Sequence, residues 1–298
     1  MRARVVLVGF LLVIFCGLSL GANRDSKSKK RDSKQPSDFA HYLVIPGAEK
    51  TGAAQCASCH KDVAHDAKHS FHALKGVQCE DCHGAGSLHA QGDTTKIINF
   101  KTAKPEVANG VCLSCHAGSE QMRHWFAGKH QAQDVKCSGC HTLHSEQTPL
   151  ESRRQINTNC LQCHQKQSAE ADLPYHHPIR EAKMSCVDCH DAHGGTTGNN
   201  LKQANVNQLC LSCHAEFQGP FAYQHAPVNE DCLKCHAAHG SPNRNLLSIS
   251  QPALCLQCHA AHHNGASLPL VDRCTNCHNM IHGTDKPAAT GGSVFIDK

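Results

Sequence analysis

Twenty of the 21 cysteines in this 298-residue chain fall into one pattern: two thiols three residues apart, with a histidine directly after the second. The first five copies are Cys56, Cys59 and His60; Cys79, Cys82 and His83; Cys112, Cys115 and His116; Cys137, Cys140 and His141; Cys160, Cys163 and His164. The other five are Cys186, Cys189 and His190; Cys210, Cys213 and His214; Cys232, Cys235 and His236; Cys255, Cys258 and His259; Cys274, Cys277 and His278. Zinc sites also use such cysteine pairs, but do not need a histidine after each one. A thioredoxin-like motif needs a βαβ context, and no run of buried strands is written here. A disulfide framework explains an even count in an exported chain, but not ten histidines in register. Covalent attachment of a c-type haem explains all three features: the thiols reach the two vinyl groups of one porphyrin, and the histidine lies under the iron.

An iron held this way has a second face. His236 and His239 are three residues apart, so their Cβ atoms lie about 5–6 Å apart on one side of a turn. They cannot grip one iron from opposite faces, and His239 is expected to reach a neighbouring haem. The same extra histidine follows every even-numbered motif, as His89, His144, His193, His239 and His282. Between the odd motif and the even one stands another: His72, His130 and His225, each seven residues before the next cysteine, with His177 and His263 somewhat further away. The chain thus reads as five tandem two-haem units carrying two extra histidines each, one for every iron. His69, His176 and His262 stand close enough to His72, His177 and His263 to be the ligands instead. His41, His65 and His124 are left as structural residues or neighbours of propionates. Only Met122, Met184 and Met280 remain after the first segment, so methionine ligation cannot be general; bis-histidine iron, with its lower potentials, is expected.

The elements that must position these groups are small. Motifs recur about every 24 residues, too closely for conventional packing domains, and aromatic residues make up only 4% of the chain. Porphyrins are expected to supply the missing apolar surface, at roughly 25 cal/mol per Å² buried. The fold class that follows is a multihaem cytochrome c: short α-helices and irregular loops around ten haems, with almost no β. Residues 1–22 read as a signal peptide, with Arg2 and Arg4 before the apolar "VVLVGFLLVIFCGL" and small residues after it. Residues 23–50 read as a flexible charged linker, 51–284 as the decahaem electron-transfer domain, and 285–298 as a tail. The formal charge of +4 has no basic stripe and no interleaved aromatics, which argues against nucleic acid. Haem propionates outnumber the ferric charges, so the loaded protein is expected near a charge of about −8, suited to basic docking partners.

The strings "CEDCHGAGSLH", "HWFAGKH", "YHHPIREAKMSCVDCHDAHG", "CLSCHAEFQGPFAYQHAPVNEDCLKCHAAHG" and "CTNCHNMIHGTDKP" go well beyond shared haem motifs. Over roughly residues 51 to 298 the chain resembles the DmsE/MtrA family of decahaem c-type cytochromes. That resemblance carries His89, His130, His177, His225, His239, His263 and His282 into ligand roles, and is weaker around His69 and His72. It implies a periplasmic electron conduit associated with the outer membrane, seated in a β-barrel porin. Electrons would pass between periplasmic or inner-membrane donor cytochromes and an extracellular cytochrome or reductase, as in anaerobic respiration. Two other functions fit a multihaem chain: a soluble periplasmic shuttle, and a reductase with one open iron. Catalysis needs a missing ligand or a variant motif, and here every motif is regular and histidines are in surplus.

Overall fold

A computed structural model describes residues 34–145, 150–195, 197–259 and 273–286. The signal-peptide reading falls outside them, as do 23–33 of the linker and most of the tail. Every motif folds as a single helical turn. The backbone N–H of the motif histidine donates to the carbonyl of the first cysteine at 2.9–3.1 Å in nine of the ten. That turn brings both thiols to one side and leaves the histidine at its end.

The two kinds of motif differ in what carries them. Odd motifs ride on helices: α1 (Ala53–Cys59), α2 (Pro105–His116), α3 (Arg153–Leu161), α4 (Val206–Leu211) and α5 (Ala253–Leu256). Local sequence starts several of them. Pro105 occupies the first turn of α2, Ser152 and Gln155 form a capping box on α3, and Asn205 accepts the Gln208 N–H at the head of α4. Even motifs instead form isolated turns, such as Cys137–Gly139, Cys186–Cys189, Cys232–Lys234 and Cys274–Asn276. Strand is minimal among the described residues: β1 (Tyr175–His176) pairs antiparallel with β2 (Gly240–Ser241).

Side chains alone make little core. One apolar cluster gathers Phe39, Leu113, Ala117 and Trp125, and the most deeply buried side chain of the described residues is a serine, Ser241. The cluster corrects the linker reading from Pro36 onward. Residues Pro36–Leu43 form a 3-10 helix laid across α2, because Phe39 is buried there and Tyr42 has a partner. The Tyr42 ring fills the space a side chain at Gly110 would need, and its hydroxyl donates to Glu106 Oε1 at 2.8 Å. Among the described residues no helix is long and apolar enough to cross a membrane.

Candidate haem sites

Nine motif histidines face a second histidine ring. The pairs are His60 with His89, His83 with His144, His116 with His72, His141 with His193, and His164 with His130. The rest are His190 with His239, His214 with His177, His236 with His282, and His259 with His225. All nine ring-centre separations lie between 5.9 and 6.4 Å. A coordinating imidazole nitrogen lies about 2 Å from its metal and the ring centre about 1 Å behind it, so two imidazoles across one iron stand about 6 Å apart. The residues present therefore fit haem iron held from both faces. His65 and His69 are also 6.1 Å apart, but neither follows a cysteine pair.

The pairing distinguishes the members of two of the open alternatives by position. His72, not His69, faces a motif histidine. His177, not His176, does so too; His176 has its Nδ1 on the Leu173 carbonyl and its Nε2 on Glu181. His262 and His263, the candidates opposite His278, lie outside the described residues.

The partners come from neighbouring units. The histidine between the motifs of one unit faces the odd motif of the next unit, as His130 does with His164. The histidine after an even motif faces the even motif of the preceding unit, as His239 does with His190. Among the described pairs His89 is the exception, facing His60 of its own unit. Ring planes follow the same division. Histidines that follow even motifs are tilted from their partners by only 12–26°. Those between motifs are turned by 31–89°.

Hydrogen bonds fix which ring nitrogen carries the proton. Nδ1 of His83, His130, His177, His190, His225 and His236 lies 2.6–3.1 Å from the carbonyls of Ile98, Ala192, Ala238, Asn199, Ile281 and Asn245. A carbonyl only accepts, so Nδ1 carries the proton and donates, leaving the Nε2 lone pair for a metal. Burial above all holds His83, His141, His193, His225 and His282 below the ordinary histidine pKa, which favours the neutral form that ligates.

The cysteines line up as a double series. Within a unit the first cysteines meet, as the contacts of Cys56 with Cys79, Cys112 with Cys137, Cys160 with Cys186, Cys210 with Cys232 and Cys255 with Cys274 record. Across units the second cysteines are neighbours: Cys82 with Cys115, Cys140 with Cys163, Cys189 with Cys213 and Cys235 with Cys258. Before attachment, the bond from Cys160 draws the Cys186 thiol down to about 7.

Two positioning devices escape a reading based on motif spacing. Asn109, Asn157 and Asn207 each stand three residues before an odd motif. Each takes the N–H of the partner motif's first cysteine, Cys137, Cys186 or Cys232, at 2.8–3.0 Å. Their amides donate to carbonyls in the loop between the two motifs, Val135, Ile179 with Met184, and Val228 with Asn229. The sequence signal is an asparagine at a fixed offset. The second device is the glycine after His193, His239 and His282. A Cβ at Gly194, Gly240 or Gly283 would run into the His124 carbonyl, the Glu170 carbonyl or the Phe221 ring of the preceding unit. The recurring HG dipeptide is its trace in the sequence.

Three family profiles match the chain: the doubled CXXCH motif over 176–219 and 225–264, the c-type NrfB-like cytochromes over 79–156, and cytochrome c554 and c-prime over 22–84. The multihaem cytochrome MtrA of Shewanella baltica is 35% identical over 266 residues, covering 80% of each chain. The c-type cytochrome NrfB of Escherichia coli is 27% identical over 38% of this chain and 66% of its own. The polyhaem cytochrome OmcB of Geobacter sulfurreducens is 24% identical over 56% of this chain, which spans only 26% of that relative.

Proposed function

Since this chain belongs to the MtrA family of multihaem c-type cytochromes, its chemistry is electron transfer through covalently held haems, and we propose that it is a ten-haem bis-histidine wire. The observation that carries this is the set of nine ring pairs at one separation, each joining a motif histidine to a histidine outside the motifs. Haem iron, when bound, supplies one-electron cycling between ferric and ferrous states. The chain's own residues do the rest. Paired cysteines would anchor each porphyrin, and the motif histidine and its partner would hold the iron between them. Carbonyls holding Nδ1 orient the imidazoles, and burial favours their neutral form. His263 is the residue we assign opposite His278, completing ten.

The cysteine series supports an order. Each motif meets one neighbour through its first cysteine and the other through its second, so the haems follow one another in chain order from Cys56 to Cys274. We read the protein as exported, working at the outer membrane within a β-barrel porin that spans the bilayer around it. There it would pass electrons between periplasmic or inner-membrane donor cytochromes and an extracellular cytochrome or reductase. The likeness to MtrA supports that setting. A reductase with an open iron is disfavoured by the partner ring facing nine of the ten motif histidines.

Electron paramagnetic resonance of the oxidised holoprotein, with carbon monoxide added to the reduced form, tests the ligation. Ten low-spin irons that ignore carbon monoxide are expected. One high-spin iron that binds it would replace the wire with a candidate active site. For the setting, the holoprotein should co-fractionate with an outer-membrane β-barrel; recovery only in the soluble periplasmic fraction favours the shuttle.

A further inference from the structure

One ligand pair differs from the others in what holds it. His239 Nδ1 lies 3.0 Å from Glu170 Oε2, whereas the partner of the same pair, His190, and five other ligand histidines have Nδ1 on backbone carbonyls. We propose that Glu170 is a positioning residue that lowers the reduction potential of the haem held between His190 and His239. This rests on the bis-histidine reading above.

The chemistry is that of an imidazole whose N–H donates to an anion. The carboxylate draws the Nδ1 proton toward itself, the ring becomes a stronger electron donor through Nε2, and the ferric state gains relative to the ferrous. A carbonyl does the same more weakly, since bonds to an ionised acceptor are roughly twice as strong as neutral ones. Electron count and proton count are unchanged: the iron still cycles by one electron, and the proton stays within the hydrogen bond.

Glu170 is held there by the fold rather than by a flexible reach. It belongs to the helix Gln165–Ala171, and the strand after His239 is locked beside that helix. His176 pairs with Gly240 and Tyr175 with Ser241, and Gly240 packs so closely on the Glu170 carbonyl that no side chain fits. The pair is also sheltered, with side-chain exposures of 33% for His239 and 27% for Glu170. Two other ligand histidines have a carboxylate nearby, and neither matches. Glu216 is 3.4 Å from His214 Nδ1, with both side chains more than half exposed. Asp191 is 3.9 Å from His193 Nδ1, beyond hydrogen-bond range, and binds that residue's backbone N–H instead.

The test is a redox titration of the holoprotein monitored by electron paramagnetic resonance, comparing wild type with Glu170→Gln, which keeps the shape and removes the charge. One haem signal should move to higher potential by about tenfold in its oxidised-to-reduced ratio, about 59 mV for one electron. All irons should stay low-spin. Glu181→Gln removes a carboxylate from a nearby non-ligand histidine, His176, and should leave the titration in place. Superimposable wild-type and Glu170→Gln titrations with every iron low-spin overturn the inference and leave the ligation standing. An equal shift in Glu181→Gln also overturns it, since the effect would then be general charge. If His239→Ala leaves every iron low-spin, it is the ligation reading that has failed.

Discussion

Asn157 accepts the backbone N–H of Cys186 at 3.0 Å and donates its amide to the carbonyls of Ile179 and Met184 at 2.9 and 2.8 Å. One buried side chain, 4% exposed, therefore joins the helix of the odd motif to the backbone of the even motif's first cysteine. Asn157→Ala strands three backbone groups, at about 1–3 kcal/mol for each left unsatisfied. Chemical denaturation of the holoprotein should show a lower midpoint, with haem stoichiometry retained. An unchanged midpoint would mean that water replaces the amide without cost.

His72 and His69 make a matched pair of experiments. His72 stands 6.1 Å from His116 across the space for an iron, whereas His69 faces His65. His72→Ala should convert one low-spin iron to high-spin and open it to carbon monoxide; His69→Ala should leave the spectrum unchanged. The opposite result would reassign the ligand.

Ring orientation predicts two populations of low-spin iron. Partners that follow even motifs lie within 12–26° of their motif histidine, while His72 and His130 are turned by 89° and 68°. Near-parallel and near-perpendicular imidazoles split the ferric d orbitals differently. The frozen-solution spectrum should contain both a rhombic signal and one with a much larger principal g value, the rhombic population being the larger. A spectrum with a single class would contradict the geometry.

Glu80 gives a pH dependence. Burial pushes its carboxyl up, but the N–H groups of Thr51, Gly52 and Gly86, followed by Lys50, outweigh that and leave it below the ordinary carboxylate value. A carboxyl whose pKa is lower folded than unfolded stabilises fully above the unfolded value of about 4.3 and loses that contribution as pH falls through the folded one. Glu80→Gln should therefore lower the denaturation midpoint at pH 7, and the difference from wild type should shrink on acidification below about pH 4. A difference that stays constant with pH would show that charge is not involved.

Much of this architecture was legible because covalent chemistry dictates local spacing. A cysteine pair and its histidine need one helical turn, and the structure places that turn at motif after motif. Short helices and near-absent strand follow. His144, His193, His239 and His282 could be picked out by position, yet which iron each serves could not, because that depends on how units pack. Of His176 and His177, it is His177 that faces His214, while His176 turns to Glu181, a packing outcome that spacing does not weigh. The docking of Pro36–Leu43 was hidden because the polar run before it continues without a break, and two rings, Phe39 and Tyr42, decide the matter. Asn109, Asn157 and Asn207 carry no metal-binding chemistry, so only the repeated offset betrays them.

The exceptional pairing of His89 with His60, inside its own unit, marks a boundary. Every later junction is reciprocal, each unit lending a ring forward and another back, so no interior unit is complete alone. The first unit supplies the partner of His60 itself and borrows the partner of His83, His144, from the unit after it. The assembly thus behaves as a zipper with a sewn end. Its reach can change only by inserting or deleting whole two-haem modules behind that end.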